Sequence, residues 1–242
     1  MTVDLVVPFY NPRAGWEVKF TDRYHRLIRD FFDGDASRIH IVIVNDGSAE
    51  HFTDAEIRYI RQHIPAVDMI SYAENKGKGF ALRAGVAASN AELCICSDND
   101  FPFGLQVIRD MYDMLVAGSA DIITGCRTHG NYFSHLPLKR RIASKGLVFV
   151  NRHILGLPVT DTQGGIKAFN RKGREIFLQT TMDRFLFDVE FILLASKRKD
   201  TRIKEVDVNI AQDVKMSDFS AKIMLQESRN LLRILLNRKH SR

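Results

Sequence analysis

Five short apolar runs, at residues 3–8, 39–44, 67–72, 93–97 and 120–124, alternate with stretches of helical period over the first 125 residues. Each run is too short to stand as a helix and is bounded by Asn, Asp, Gly, Pro or Ser, the pattern of a buried strand. Between the first two, Trp16, Phe20, Tyr24, Leu27, Ile28 and Phe31 recur at helical spacing, so residues 15–32 form a helix with an aromatic core face. Thr53 followed by Glu56 fits a capping box for a helix ending at His63. Further helices are expected at 80–89 and 105–116. Strands alternating with helices admit few architectures. The expected class is α/β, a Rossmann-like, mostly parallel sheet covered by helices on both faces.

In such a sheet, ligands sit beyond the carboxyl ends of the strands. Four polar groups stand there: Tyr10 after strand one, Asp46 after strand two, Lys76 and Lys78 after strand three, and Asp98-Asn99-Asp100 after strand four. Two carboxylates at i, i+2 form a hard anionic oxygen site that suits Mg²⁺ or Mn²⁺, ions that usually also hold substrate phosphates. A solvated Asp-rich turn is the competing reading. An Asp after strand two can accept hydrogen bonds from a nucleobase N–H or a ribose hydroxyl. Glycines and lysines opening a helix at 74–79 favour a bound anion, though a plain loop fits as well. There is no P-loop, no Gly-x-Gly-x-x-Gly after strand one, no serine-hydrolase elbow and no His-Glu-x-x-His. Together these groups describe a nucleotide site built without a P-loop.

After residue 125 the pattern changes. A polar loop leads to a basic amphipathic helix from Leu138 to about Leu155 that carries Arg140 and Ser144. Residues 160–169 read as a polar turn feeding a short strand, 186–196 as a helix with Asp188 and Glu190 near its start, 203–210 as a last strand and 219–237 as a final helix. No run of 18 apolar residues occurs, so no helix here is expected to span a bilayer, and residues 3–9 lack the features of a signal peptide. Cys94, Cys96 and Cys126 show no disulfide framework, which favours a reducing compartment. Of the net charge of +6, residues 215–242 hold +5, with seven Lys/Arg against Asp218 and Glu227. A basic, apolar tail points to an anionic surface. With Phe219 as its only aromatic, nucleic acid is disfavoured as partner. The expected organisation is one domain over residues 1–213 with a basic amphipathic C-terminal helix at 214–242.

Several stretches share a pattern: Val7-Pro8-Phe9-Tyr10-Asn11, Val44-Asn45-Asp46-Gly47-Ser48, Asn75-Lys76-Gly77-Lys78-Gly79 and Asp98-Asn99-Asp100. In this order they resemble family 2 glycosyltransferases of the GT-A fold. Residues 160–167 and Phe187-Asp188-Val189-Glu190 are similar to dolichyl-phosphate mannose synthases and their glucosyl relatives, the polyprenyl-phosphate glycosyltransferases. The resemblance covers about residues 3 to 235. It implies an inverting transfer of a hexose, mannose or glucose, from a GDP- or UDP-linked sugar to a polyprenyl or dolichyl phosphate.

By the same resemblance, Pro8, Tyr10, Asp46 and Lys78 hold the donor. Asp98, Asn99 and Asp100 fall on the Asp-x-Asp positions for donor and metal. Arg127, Arg140 and Ser144 match the acceptor-phosphate site, and Gln163 lies in the turn near the acceptor. Asp100, Arg127 and Gln163 are the expected catalytic residues. The chain departs from the family at Asn99, where Ala is usual, at Pro102, where Gln often assists the metal, and at Asp213 and Phe219, where basic residues follow the last strand. Gly164 stands where the family has cysteine or glycine. The implied setting is cytoplasmic and peripheral, on the cytoplasmic face of a membrane, with the tail on lipid or on a small membrane partner. Three other readings stay open: a family 2 enzyme with a saccharide acceptor, a sugar-1-phosphate nucleotidyltransferase, and a non-catalytic membrane-associated module.

Overall fold

The computed structural model describes residues 1–127, 138–209, 227 and 229–234, without the side chains of 138–140. Strand β1 (Val3–Phe9) is followed by helix α1 (Trp16–Phe31), β2 (Ile39–Asp46), α2 (Asp54–His63), β3 (Val67–Tyr72), α3 (Lys78–Ala88), β4 (Leu93–Cys96), α4 (Gln106–Val116) and β5 (Ile122–Cys126). After residues 128–137 come α5 (Leu138–Phe149), continued as a wider turn over Val150–Leu155, then β6 (Gly164–Phe169), α6 (Arg171–Phe177), α7 (Phe187–Ser196) and β7 (Ile203–Asp207).

The seven strands form one sheet in the order β3-β2-β1-β4-β6-β5-β7. Neighbours are parallel except β6, which runs antiparallel to both β4 and β5. This is the mostly parallel sheet, covered on both faces, that the alternation of strands and helices leads one to expect. Strand order reverses between β1 and β4, so a crevice opens beyond their carboxyl ends. Pro8 is tolerated in a central strand because it lies past the last β1–β4 rung, Val6 with Cys96.

One apolar layer packs α1 and α4 on one face of the sheet, centred on Phe9, Trp16, Phe20, Leu27, Ile41 and Met111. The other packs α3, α6 and α7 on the opposite face through Val6, Leu82, Phe169, Phe177, Phe187 and Phe191. Phe20 stacks on Phe101, so α1 braces the loop that follows β4. The expected capping box at Thr53 and Glu56 is present. Helix α6 has no counterpart in the sequence reading. It is seven residues long and is capped by Asn170, whose side chain accepts from the Gly173 N–H. Seven residues are too few to display a period. All three cysteines are buried thiols. Helical residues 229–234 pack on the second layer through Leu231 and Ile234. The start of the expected final helix and residues 210–226 lie outside the described residues.

Candidate active site

A cavity of about 270 Å³ opens where the strand order reverses, lined by Pro8, Phe9, Tyr10, Asp46, Asn75, Gly77, Lys78, Asp98, Arg184 and Phe185. The ends of β1, β2 and β4 form its floor and the start of α3 one side. Five of the expected donor residues, Pro8, Tyr10, Asp46, Lys78 and Asp98, therefore meet in one place.

Asp46 is the organising group of the β2 side. Its carboxylate accepts from Tyr72 Oη (2.8 Å), Asn75 Nδ2 (2.8 Å), Lys76 N (2.8 Å) and Gly77 N (3.0 Å). These donors account for the acceptor capacity of a carboxylate. In this structure Asp46 fastens residues 74–77 to the sheet. Burial and this bond together push the Tyr72 phenol far above its ordinary range. Tyr72 and Asn75 escaped sequence reading; Asn75 sits inside the Asn-Lys-Gly-Lys-Gly stretch but reads there as loop.

Gly77 and Gly79 have a second cause besides an anion cradle. Gly77 has a φ of 106°, and a Cβ on it would meet the Asp183 carbonyl at 2.5 Å. A Cβ on Gly79 would collide with the Met182 carbonyl. The N–H of Phe80 donates to Asp183 O at 3.1 Å. The start of α3 is thus pressed flat against residues 182–184, and three amides around that helix end, those of Lys76, Gly77 and Phe80, serve the protein itself.

Lys78 reaches across to Asp98, with Nζ 2.5 Å from Oδ1. Burial opposes its charge, but Asp98 and then Asp188 outweigh that and hold its pKa above the ordinary lysine value. A Cβ on Gly165 would meet Asp98 Oδ2 at 2.5 Å, so β6 abuts the carboxylate closely. Asn99 is half-buried and Asp100 is exposed. Crowding by surrounding atoms and the neighbouring Asp98 raise the Asp100 carboxyl above the usual carboxylate range. A carboxyl raised by burial and by a neighbouring carboxylate belongs to a site that a divalent cation would relieve. Among the described residues no cluster of three metal-ligating side chains exists. The pair fits a Mg²⁺-type or Mn²⁺-type ion whose remaining positions go to water and substrate phosphate.

Arg127, expected at the acceptor, follows β5 and is near enough to Lys78 to oppose its charge. It forks onto Asp161, with Nε to Oδ2 at 2.8 Å and Nη2 to Oδ1 at 3.0 Å. Burial raises the Asp161 pKa, but the guanidinium more than offsets it, leaving the carboxyl below its ordinary value. Glu205 from β7 accepts from the N–H groups of Thr160 and Asp161, so the 160–163 turn is pinned from two sides. Gln163 then donates to the carbonyl of Phe185, 3.2 Å away. Arg127 and Gln163 thereby join the turn to the cavity wall. Ser144 is half-buried on α5. The side chain of Arg140 lies outside the described residues.

Asp188 and Glu190 hold the frame. Asp188 meets Lys167 at 2.6 Å with both side chains buried, and burial first pushes the Asp188 carboxyl above its usual range. Glu190 accepts from the N–H groups of Thr181 and Met182 and from the Thr181 hydroxyl.

Residues 4–177 match the family described as glycosyl transferase family 2. The chain belongs to glycosyltransferase family 2. A dolichyl-phosphate beta-glucosyltransferase from Dictyostelium discoideum is 26% identical, over 96% of this chain and 73% of that protein. The Homo sapiens protein of the same description is 26% identical over 86% of this chain and spans 66% of its own length. Among solved structures, glucosyl-3-phosphoglycerate synthase from Mycobacterium tuberculosis, in complex with Mn²⁺, UDP and phosphoglyceric acid, has a TM-score of 0.65 at 19% identity. The match covers 98% of this chain and 78% of that one. A mannosyltransferase from Pyrobaculum calidifontis, in complex with GDP-Man and Mn²⁺, has a TM-score of 0.57 at 16% identity, over 85% of this chain and 55% of that one. At these identities the solved structures establish the fold.

Proposed function

We propose that this family 2 glycosyltransferase moves a hexose from a nucleoside-diphosphate sugar to a polyprenyl phosphate, with inversion at the anomeric carbon. The observation that carries the reading is the convergence of Pro8, Tyr10, Asp46, Lys78 and Asp98 on one cavity at the point of strand reversal, with Asp100 two residues after Asp98. Glucose is the favoured sugar, because the relatives similar over most of the chain are dolichyl-phosphate beta-glucosyltransferases. Mannose is the alternative the donor assay must exclude.

In this reading the nucleoside lies against Phe9 and Tyr10, and the diphosphate points toward Lys78 and Asp98. Asp100 and Asp98 would hold the cation, which supplies charge neutralisation of the departing diphosphate. Lys78 adds positive charge on the same side. The acceptor is a phosphate monoester, with a second pKa of about 6 by comparison with phosphoserine. At neutral pH it is already largely dianionic, so it needs positioning rather than a strong base. Its oxygen attacks the anomeric carbon from the face opposite the leaving diphosphate, and that bond breaks as the new one forms. Arg140 and Ser144 on α5 would place the acceptor phosphate, since an arginine fork matches phosphate oxygens. Arg127 and Gln163 would shape the turn that receives it.

The lipid would approach along α5. Ile142, Phe149 and Ile154 are exposed at 63%, 57% and 43%, and Arg141, Lys145 and Arg152 interleave with them. An apolar row flanked by cations suits the headgroup boundary of an anionic membrane. No helix among the described residues is long and apolar enough to cross a membrane. The test is a panel of UDP- and GDP-hexoses offered with Mn²⁺ and a short polyprenyl phosphate, with product masses read directly. A hexosyl prenyl phosphate from UDP-glucose supports the reading; transfer to no prenyl phosphate from any donor overturns it.

A further inference from the structure

Residues 182–187, between α6 and α7, form a wall of the donor cavity that is held in place at almost every position. Met182 N donates to Glu190, and Met182 O accepts from Arg83. The Asp183 carboxylate pairs with Arg83 and its carbonyl accepts from Phe80 N. Phe185 O accepts from Gln163, and Leu186 N donates to Glu227 at 2.9 Å. Within this wall Arg184 contributes a cavity-lining side chain. It can lie there because Gly77 has no Cβ: an added one would be 3.0 Å from Arg184 Cγ.

The charges around the cavity are otherwise answered. Asp46 is saturated by its own loop. Lys78 and Asp98 answer each other. Arg184 has no ion pair within 4.0 Å among the described residues. The carboxylates beside it are engaged elsewhere: Asp183 by Arg83, and Glu227 by Leu186 N and by Asn230 Nδ2 at 3.3 Å. A guanidinium on the wall of a nucleotide cavity, its charged neighbour at longer range being Glu227, fits an oxyanion pair.

We propose that Arg184 is the arginine that binds the diphosphate of the donor, from the wall formed by residues 182–187. This rests on the nucleotide-sugar reading of the cavity and adds to it a binding residue contributed by the α6–α7 connection. The diphosphate would meet Arg184 together with Lys78 and the metal. Because Glu227 bonds the wall at Leu186, the C-terminal helix would help to keep Arg184 in position.

Calorimetric titration of the full-length chain in Mn²⁺ with UDP, GDP, UMP and uridine tests this. Arg184→Gln is expected to weaken binding of the favoured nucleoside diphosphate about tenfold or more, while changing uridine binding little, so that preference for diphosphate over monophosphate shrinks. Arg184→Lys, which keeps the charge without the fork, should recover part of the loss. Thermal melts establish that both variants fold. If wild type binds a nucleoside diphosphate and both variants bind it within twofold of wild type, the role of Arg184 is overturned and the donor reading stands. If wild type binds neither UDP nor GDP, the donor reading falls and the Arg184 assignment falls with it.

Discussion

Gly77 does two jobs that no other residue could combine. Its φ of 106° is closed to most L side chains, and its missing Cβ lets Asp183 and Arg184 lie against α3. Gly77→Ala is therefore expected to lower stability by about 1–3 kcal/mol and to weaken nucleotide binding, measured by thermal melts and titration on the same sample. A variant with wild-type melting temperature would show that the wall yields at little cost. The carboxylates behave differently. Asp98 already has Lys78 as counter-ion, whereas Asp100 is exposed and destabilised by its neighbour. Asp100→Asn should leave the melting temperature near that of wild type and reduce transfer by orders of magnitude, with loss of Mn²⁺ binding. Full-rate transfer by this variant, or by wild type in excess chelator, would remove Asp100 from the metal site.

At the scale of elements, the second half of the chain is fastened to the first by ion pairs with a buried carboxylate. Asp121 at the start of β5 accepts from Arg202 ahead of β7 and from Asn170, the cap of α6. Those bonds, the Arg202 side chain first, hold the Asp121 carboxyl well below the usual carboxylate range. A depressed folded-state pKa contributes stability that is present above the unfolded value of about 4 and is lost as pH falls through the folded value. Asp121→Asn should accordingly lower the melting temperature clearly at pH 7, with the gap from wild type closing as both are acidified below about pH 4. A gap independent of pH would assign the loss to packing. Elements such as β4 and α1 were legible because their periods are unmixed. The wall at 182–187 was not, since its shape comes from contacts with α3, α7 and Glu227 that lie up to about a hundred residues away in sequence. The Gly77-Lys78-Gly79 stretch shows the limit plainly. Its glycines are consistent with a phosphate cradle, yet their closest contacts are to residues 182–184. The strand-end site was readable because sheet topology alone brings Tyr10, Asp46 and Asp98 to one edge.

For the whole molecule, the proposed function assigns the nucleotide sugar to the polar cavity and the lipid to the apolar α5 surface. The exposed Ile142 and Phe149 have no core role, so replacing both with Ser should leave the melting temperature almost unchanged. The same change should lower co-sedimentation with anionic vesicles about fivefold or more, given about 1.5–3 kcal/mol for burying each such side chain. Undiminished vesicle binding would move the contact to another face, the basic tail first. What the whole assembly is built to do rests on the acceptor being a phosphate. The most direct test compares initial rates of transfer from UDP-glucose, in Mn²⁺, to a short polyprenyl phosphate and to the matching polyprenol. The account predicts a glycosylated prenyl phosphate and no measurable product from the alcohol, because the phosphate is already dianionic whereas an alcohol must lose a proton as it attacks. Equal rates with the two lipids, or transfer only to a saccharide added alongside them, would contradict it.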